Sequence, residues 1–148
     1  MIKPVSMKTS IQKRRLQRAQ KILVVEDEMD IRRIYAELLI RSGYGVDTAE
    51  DGEAGWKMLH AVRHDPGSYD LLITDNNMPK LSGLELIKKL RSARMTLPII
   101  LASGAPLNDI EELQLAAVLP KPFPIGLLMR TVKEVLRTTA VNPDRRKK

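Results

Sequence analysis

The apolar positions of this chain change period several times, and each change marks an element. Ile22-Leu23-Val24-Val25 is an unbroken apolar run with β-branched residues, the pattern of a strand buried on both faces. Ile31, Ile34, Tyr35, Leu38 and Leu39 then recur at helical spacing, and the helix is expected to end near Gly43. Gly45–Ala49 reads as a shorter strand, and Trp56, Leu59 and Val62 as a second helix closed by the Pro66-Gly67 turn signal. Leu71-Leu72-Ile73-Thr74 is another buried-strand run, followed by a helix on Leu84, Ile87 and Leu90. Pro98–Ala102 predicts a strand with proline at its first position, where a missing N–H is tolerated. A short helix around Asp109–Leu115, a weak strand at Ala116–Leu119 and a final helix carrying Ile125, Leu128, Met129, Val132, Val135 and Leu136 complete the pattern.

Strand and helix thus alternate five times. That order implies right-handed crossovers and a doubly wound α/β fold: a five-stranded parallel sheet with five helices on its two faces. In such sheets the chemistry lies at the carboxyl ends of the strands, beside the point where the strand order reverses.

Composition narrows the classes. The chain has 148 residues and no cysteine, so disulfides, zinc–thiolate sites and thiol nucleophiles are excluded. No apolar stretch approaches the ~20 residues of a membrane span, and the basic N-terminus lacks the apolar core of a signal peptide. A soluble cytoplasmic protein without membrane insertion is expected. The net charge of +7 is unevenly spread: residues 1–21 carry +7, residues 137–148 carry +4, and the stretch between carries −4. The expected organisation is a basic tail (1–20), one domain (21–138) and a second basic tail (139–148), with Met7 an alternative start to Met1. The basic ends read either as solvated tails or as a salt-sensitive contact with nucleic acid or an acidic partner.

The residues that follow the strands form a consistent set. The first strand runs into Glu26-Asp27-Glu28, the third into Asp75-Asn76-Asn77-Met78-Pro79, the fourth into Ser103-Gly104 and the fifth through Pro120 into Lys121-Pro122. Clustered carboxylates disfavour one another's ionisation, and a hard divalent cation with oxygen ligands relieves them. Lys121 could pair with Asp75 or with a phosphoryl group placed there, and Ser103 could donate to a phosphoryl oxygen. Glu28 and Asp30 read as first-turn helix charges instead. His60 and His64, four residues apart, could chelate a metal, but without an HExxH glutamate they read as a solvated helix end.

In these motifs the chain resembles the receiver domain of bacterial two-component response regulators, over about residues 20–138. The acidic pair is Glu26-Asp27, and the phosphoacceptor signature is Asp75-Asn76-Asn77-Met78-Pro79-Lys80-Leu81-Ser82-Gly83. The switch position falls on Ser103, and the Lys-Pro-Phe signature is Lys121-Pro122-Phe123. The resemblance implies a flavodoxin-like fold in which Asp75 accepts a phosphoryl group from a histidine kinase or histidine phosphotransfer protein. It implies Mg²⁺ held by Asp27, Asp75 and the backbone carbonyl of Asn77, with Glu26 acting through a water. It also implies that Ser103 and Lys121 close on the phosphoryl group, and that the output is a switch in contacts with a downstream protein. Two positions depart from the family: Val118 stands where an aromatic residue is usual, and the stretch Gly104–Leu115 leaves room only for a short fourth helix.

The expectation is therefore a stand-alone phosphoacceptor domain with no turnover of a substrate. A hydrolase would need a second catalytic group and a substrate pocket, and the sequence offers neither. Sequence-specific nucleic-acid binding is not expected, for there is no helix-turn-helix, RNA-binding or zinc-finger pattern.

Overall fold

The structure, a computed structural model, describes residues 19–141. Most of both basic tails lies outside these residues. Five strands alternate with helices: β1 (Lys21–Val25), α1 (Met29–Arg41), β2 (Gly45–Ala49), α2 (Gly52–Ala61), β3 (Leu71–Asp75), α3 (Gly83–Ser92), β4 (Ile99–Ser103), β5 (Ala117–Pro120) and α4 (Ile125–Val141). The strands are all parallel, in the order β2-β1-β3-β4-β5. The chain steps outward from β1 to β2 and then returns to the other side of β1, so the order reverses between β1 and β3. Their carboxyl ends open the crevice expected of this topology.

The apolar runs form the central strands because both sides of the sheet are covered. Ile22, Val24, Leu71, Ile73 and Ile100 face Leu39 of α1 and Leu128, Val132 and Leu136 of α4. Leu23, Val25, Leu72, Ile99 and Leu101 face Leu59 of α2 and Leu86, Ile87 and Leu90 of α3. Each such side chain contributes about 1.5–3 kcal/mol on burial, so the two layers hold the sheet rigid beneath the crevice.

Two expectations are corrected. The short helix at Asp109–Leu115 is a single 3₁₀ turn, Glu111–Leu113, so four α-helices stand among the described residues where five were expected. Asp109 and Gln114 bracket the turn in left-handed conformations (φ 56° and 52°), which an α-helix cannot include. Val118 is 37% exposed. Its neighbours Ala117 and Leu119 face α4's side of the sheet, so Val118 faces the side where a fourth helix would have covered it. The helix α2 ends at Ala61, so His64 lies beyond it and shares no helix face with His60. At the other boundary α4 continues to Val141, past the expected limit of 138.

Candidate functional site

Four of the expected side chains, Glu26, Asp27, Asp75 and Lys121, meet at the carboxyl ends of β1, β3 and β5. Glu26 follows β1 and is held in place by its own backbone, whose N–H donates to the Ala49 carbonyl at 3.1 Å. Asp75 is the last residue of β3 and not the first beyond it, and it is buried with Glu26. One carboxylate oxygen each from Glu26, Asp27 and Asp75 falls within 4.8 Å of the others. The Lys121 ammonium lies 2.6 Å from Asp75 Oδ1. Strand pairing aims it there, since the Lys121 N–H donates to the Ser103 carbonyl at 2.8 Å and so extends the β4–β5 ladder by one residue. The Lys121-Pro122 peptide is cis.

The electrostatics follow from that packing. Burial raises the Glu26 pKa from 4.5 to about 7; the Asp75 charge adds to this, Lys121 opposes it, and Asp27 and Glu28 add less. Burial by itself would lower the Lys121 pKa, but the hydrogen bond and charge of Asp75, with the charge of Glu26, hold it above the ordinary ammonium value. Burial followed by the Glu26 charge also raises the Tyr35 phenol, which stands behind the site. The trio is therefore short of positive charge even with Lys121 present. An all-oxygen donor set with one partly protonated member suits a hard cation such as Mg²⁺.

Ser103 is buried at the end of β4, and its hydroxyl is engaged with the backbone of Ala105. It donates to the Ala105 carbonyl at 2.9 Å and accepts from the Ala105 N–H at 3.3 Å. Asn77 is exposed on the loop after β3. That loop is closed by Asn76: its backbone carbonyl accepts from the Gly83 N–H at 2.9 Å, and its side-chain oxygen accepts from the Leu84 N–H at 3.0 Å. Gly83 at the start of α3 is a requirement of contact. A Cβ there would collide with the Asp75 carbonyl oxygen and come within 2.9 Å of Asn76 Cα.

Two contributors were not singled out in the sequence. Asn76 sits inside the recognised motif, and its capping role was legible there in principle. Arg32, whose Nη1 donates to the Glu26 carbonyl at 2.7 Å and more distantly to that of Asp27 at 3.4 Å, looked like any polar residue of α1. Behind the charged groups, between Tyr35, Phe123 and Leu128, there is a void of only about 10 Å³. That is room for at most one water and none for an organic substrate. A larger groove lies at the opposite end of the sheet.

The family described as response regulator receiver domain matches residues 22–133. Among curated proteins, the chain is similar to the transcriptional regulatory protein CpxR of Escherichia coli, 37% identical over 120 residues, which are 79% of this chain and 49% of CpxR. It is also similar to the transcriptional regulatory protein TctD of Salmonella typhimurium, 32% identical over 124 residues, 81% of this chain and 53% of TctD. The chain thus corresponds to about half the length of these relatives. Among solved structures it is similar to the response regulator TrrA of Thermotoga maritima in complex with Mg²⁺–BeF (35% identity, TM-score 0.68, 78% of this chain and 98% of that one). The receiver domain of the Francisella response regulator 1452 matches with 27% identity and a TM-score of 0.72, over 81% of this chain and 98% of that one.

Proposed function

The chain belongs to the response regulator receiver domain family, and on that premise we propose that Asp75 is a phosphoacceptor in two-component signal transduction. The single observation that carries this reading is the Lys121–Asp75 ion pair of 2.6 Å at the rim of the three-carboxylate cluster. Lys121 holds Oδ1, which leaves Oδ2 of Asp75 to attack the phosphorus of a phosphohistidine. The new bond is O–P, the bond broken is N–P, and the imidazole departs with its electron pair. Asp27, Asp75 and the Asn77 carbonyl would hold Mg²⁺, with Glu26 acting through a water. When bound, the cation would supply charge neutralisation for the transferring oxygens. Lys121 then neutralises the phosphoryl group. Ser103 turns from Ala105 to donate to it.

The upstream partner in this reading is a histidine kinase or a histidine phosphotransfer protein. The downstream partner is a protein that binds one of the two phosphorylation states. The domain turns over no substrate beyond its own slow dephosphorylation.

Incubation with Mg²⁺ and acetyl phosphate should raise the intact mass by one phosphoryl group. Asp75→Asn and Asp27→Ala should both remain unlabelled while staying folded. Lys121→Ala should accept phosphate without the accompanying change in amide exchange. Labelling of Asp75→Asn at the rate of the parent would overturn the assignment.

A further inference from the structure

The helices that leave the carboxyl ends of β1, β2 and β3 begin in two different ways. Two are capped by the residue before them: Asp51 accepts from the Ala54 N–H at the start of α2, and Ser82 from the Glu85 N–H at the start of α3. At the start of α1, Glu28 makes no side-chain cap hydrogen bond. Yet the turn Glu26-Asp27-Glu28 carries two of the three clustered carboxylates. Its backbone is held instead by Arg32. Nη1 of Arg32 donates to the Glu26 carbonyl at 2.7 Å and, at 3.4 Å, to that of Asp27. The Arg32 N–H donates to the Glu28 carbonyl at 2.9 Å, the ordinary first bond of the helix. One residue thus serves all three carbonyls of the turn.

Local preference does not account for an arginine at this place. It is the fourth residue of α1, where a cation meets the positive end of the helix dipole. Among the described residues it forms no ion pair that would repay that position. Its guanidinium is spent on backbone oxygens beside the site. We propose that Arg32 is a positioning residue for the divalent cation: by holding the Glu26 and Asp27 carbonyls, it fixes the turn that presents both carboxylates to Asp75. The inference rests on the phosphoacceptor reading and deepens it, since Arg32 acts through the ligands and touches neither the ion nor the phosphoryl group.

The chemistry of the ion makes such a hold matter. Mg²⁺ demands near-ideal octahedral geometry, so a ligand free to wander costs affinity. Asp27 is exposed, and among the described residues its carboxylate has no ion pair of its own. Its direction is therefore set by the backbone that Arg32 fastens. Groups that orient metal ligands from behind typically carry 10–100-fold in metal affinity. Charge and position predict opposite signs here. A cation beside the cluster repels a second cation, so if its charge were what counted, removing it would tighten Mg²⁺ binding. If its hydrogen bonds count, removing it weakens binding. Lysine keeps the charge and a donor but lacks the planar fork.

The test titrates the full chain with Mg²⁺ alone and follows the amide resonances of residues 26–28 and 75–77 by NMR. Arg32→Ala should raise the Mg²⁺ dissociation constant about tenfold or more, and amide exchange at 27–29 should quicken in the metal-free protein. Arg32→Lys should fall between Arg32→Ala and the parent, and it carries the test if Arg32→Ala does not fold. With acetyl phosphate, Arg32→Ala should label slowly at limiting Mg²⁺ and at the parent rate once Mg²⁺ saturates. Mg²⁺ binding that is unchanged or tighter in the variants would overturn the proposal and leave the phosphoacceptor reading intact. So would labelling that stays slow at saturating Mg²⁺. A parent protein that shows no Mg²⁺ shifts and takes up no phosphate would overturn the reading and the proposal together.

Discussion

The two connections that leave the site are fastened in opposite ways. Residues 76–82, between β3 and α3, are tied at nearly every step. Asn76 accepts from Gly83 and Leu84, and Ser82 and Glu85 form a reciprocal capping box. Lys80, in a left-handed conformation (φ 67°), reaches Asp51 Oδ2 at 3.6 Å. Asp51 is itself pinned as the cap of α2, and the Ala54 N–H holds its carboxyl below the usual range. Residues 104–116, between β4 and β5, have two side-chain fastenings, and the Ala116 N–H closes the stretch on the Ile99 carbonyl at 2.8 Å. One is the Ser103–Ala105 pair at the start. The other is Arg91, which donates to the carbonyls of Leu113 (2.8 Å), Met95 (2.7 Å), Leu97 (3.1 Å) and Gln114 (3.3 Å). The side that presents Asp75 is thus immobilised, and the side that presents Ser103 is hinged. A switch needs both: a fixed acceptor and a neighbour that can turn.

The largest expected effect loads both sides at once. The folded-state pKa of Glu26 is raised from 4.5 to about 7, so the folded protein holds that proton more tightly than the unfolded chain. Stability of the metal-free protein should therefore fall as pH rises, starting above pH 4.5 and levelling off above pH 7. The loss should be on the order of 3 kcal/mol in urea titrations. Mg²⁺ should restore much of it, and amide exchange should rise in 104–116 before 76–83. A flat profile would show that Glu26 is not strained.

Gly83→Ala attacks the immobilised side directly. The added methyl meets backbone atoms of Asp75 and Asn76, which cannot yield as a flexible side chain would. It should cost about 2–3 kcal/mol and slow phosphorylation, because the collision displaces Asp75 itself. A loss below about 0.5 kcal/mol would show the loop to be compliant and the comparison wrong.

Arg91→Ala should cost about 2 kcal/mol by leaving carbonyls without a donor. Its signature is local: faster exchange across 104–116, with phosphorylation of Asp75 unaffected. Ser103→Ala should have the smallest effect on stability, under about 1 kcal/mol, since Ala105 is free to turn to water. Its effect should appear instead as a loss of the phosphorylation-dependent exchange change at 104–110. If that change survives, the hinge is elsewhere.

Much of this was legible in the sequence. The central strands β1, β3 and β4 are covered on both faces and so appear as unbroken apolar runs. Gly83 was recognised as part of a motif, and the structure adds the reason, the close approach of the Asp75 carbonyl. The fourth helix was over-read because Ile110, Leu113 and Leu115 suit one apolar turn as well as a short helix. Three such residues cannot decide between them. Val118 reads in the sequence as an ordinary apolar strand residue, and its exposure follows from the missing helix. Arg91 carried no signal at all. A cation in the last turn of a helix reads as an ordinary answer to the helix dipole, and only the three-dimensional return of residues 113–114 shows its other use.

The paired fastening of residues 104–116 also bears on how such a domain diversifies. Ser103–Ala105 secures one end and Arg91 the other, while Pro106, Asn108 and Asp109 in between are exposed. Lengthening that stretch would add only closure entropy, about 0.6 kcal/mol for each doubling. Insertions there would leave Asp75 and Lys121 in register on their strands. The stretch is a place where descent can add a turn, a helix or a new recognition surface, one mutation at a time, while the chemistry beside it is inherited unchanged.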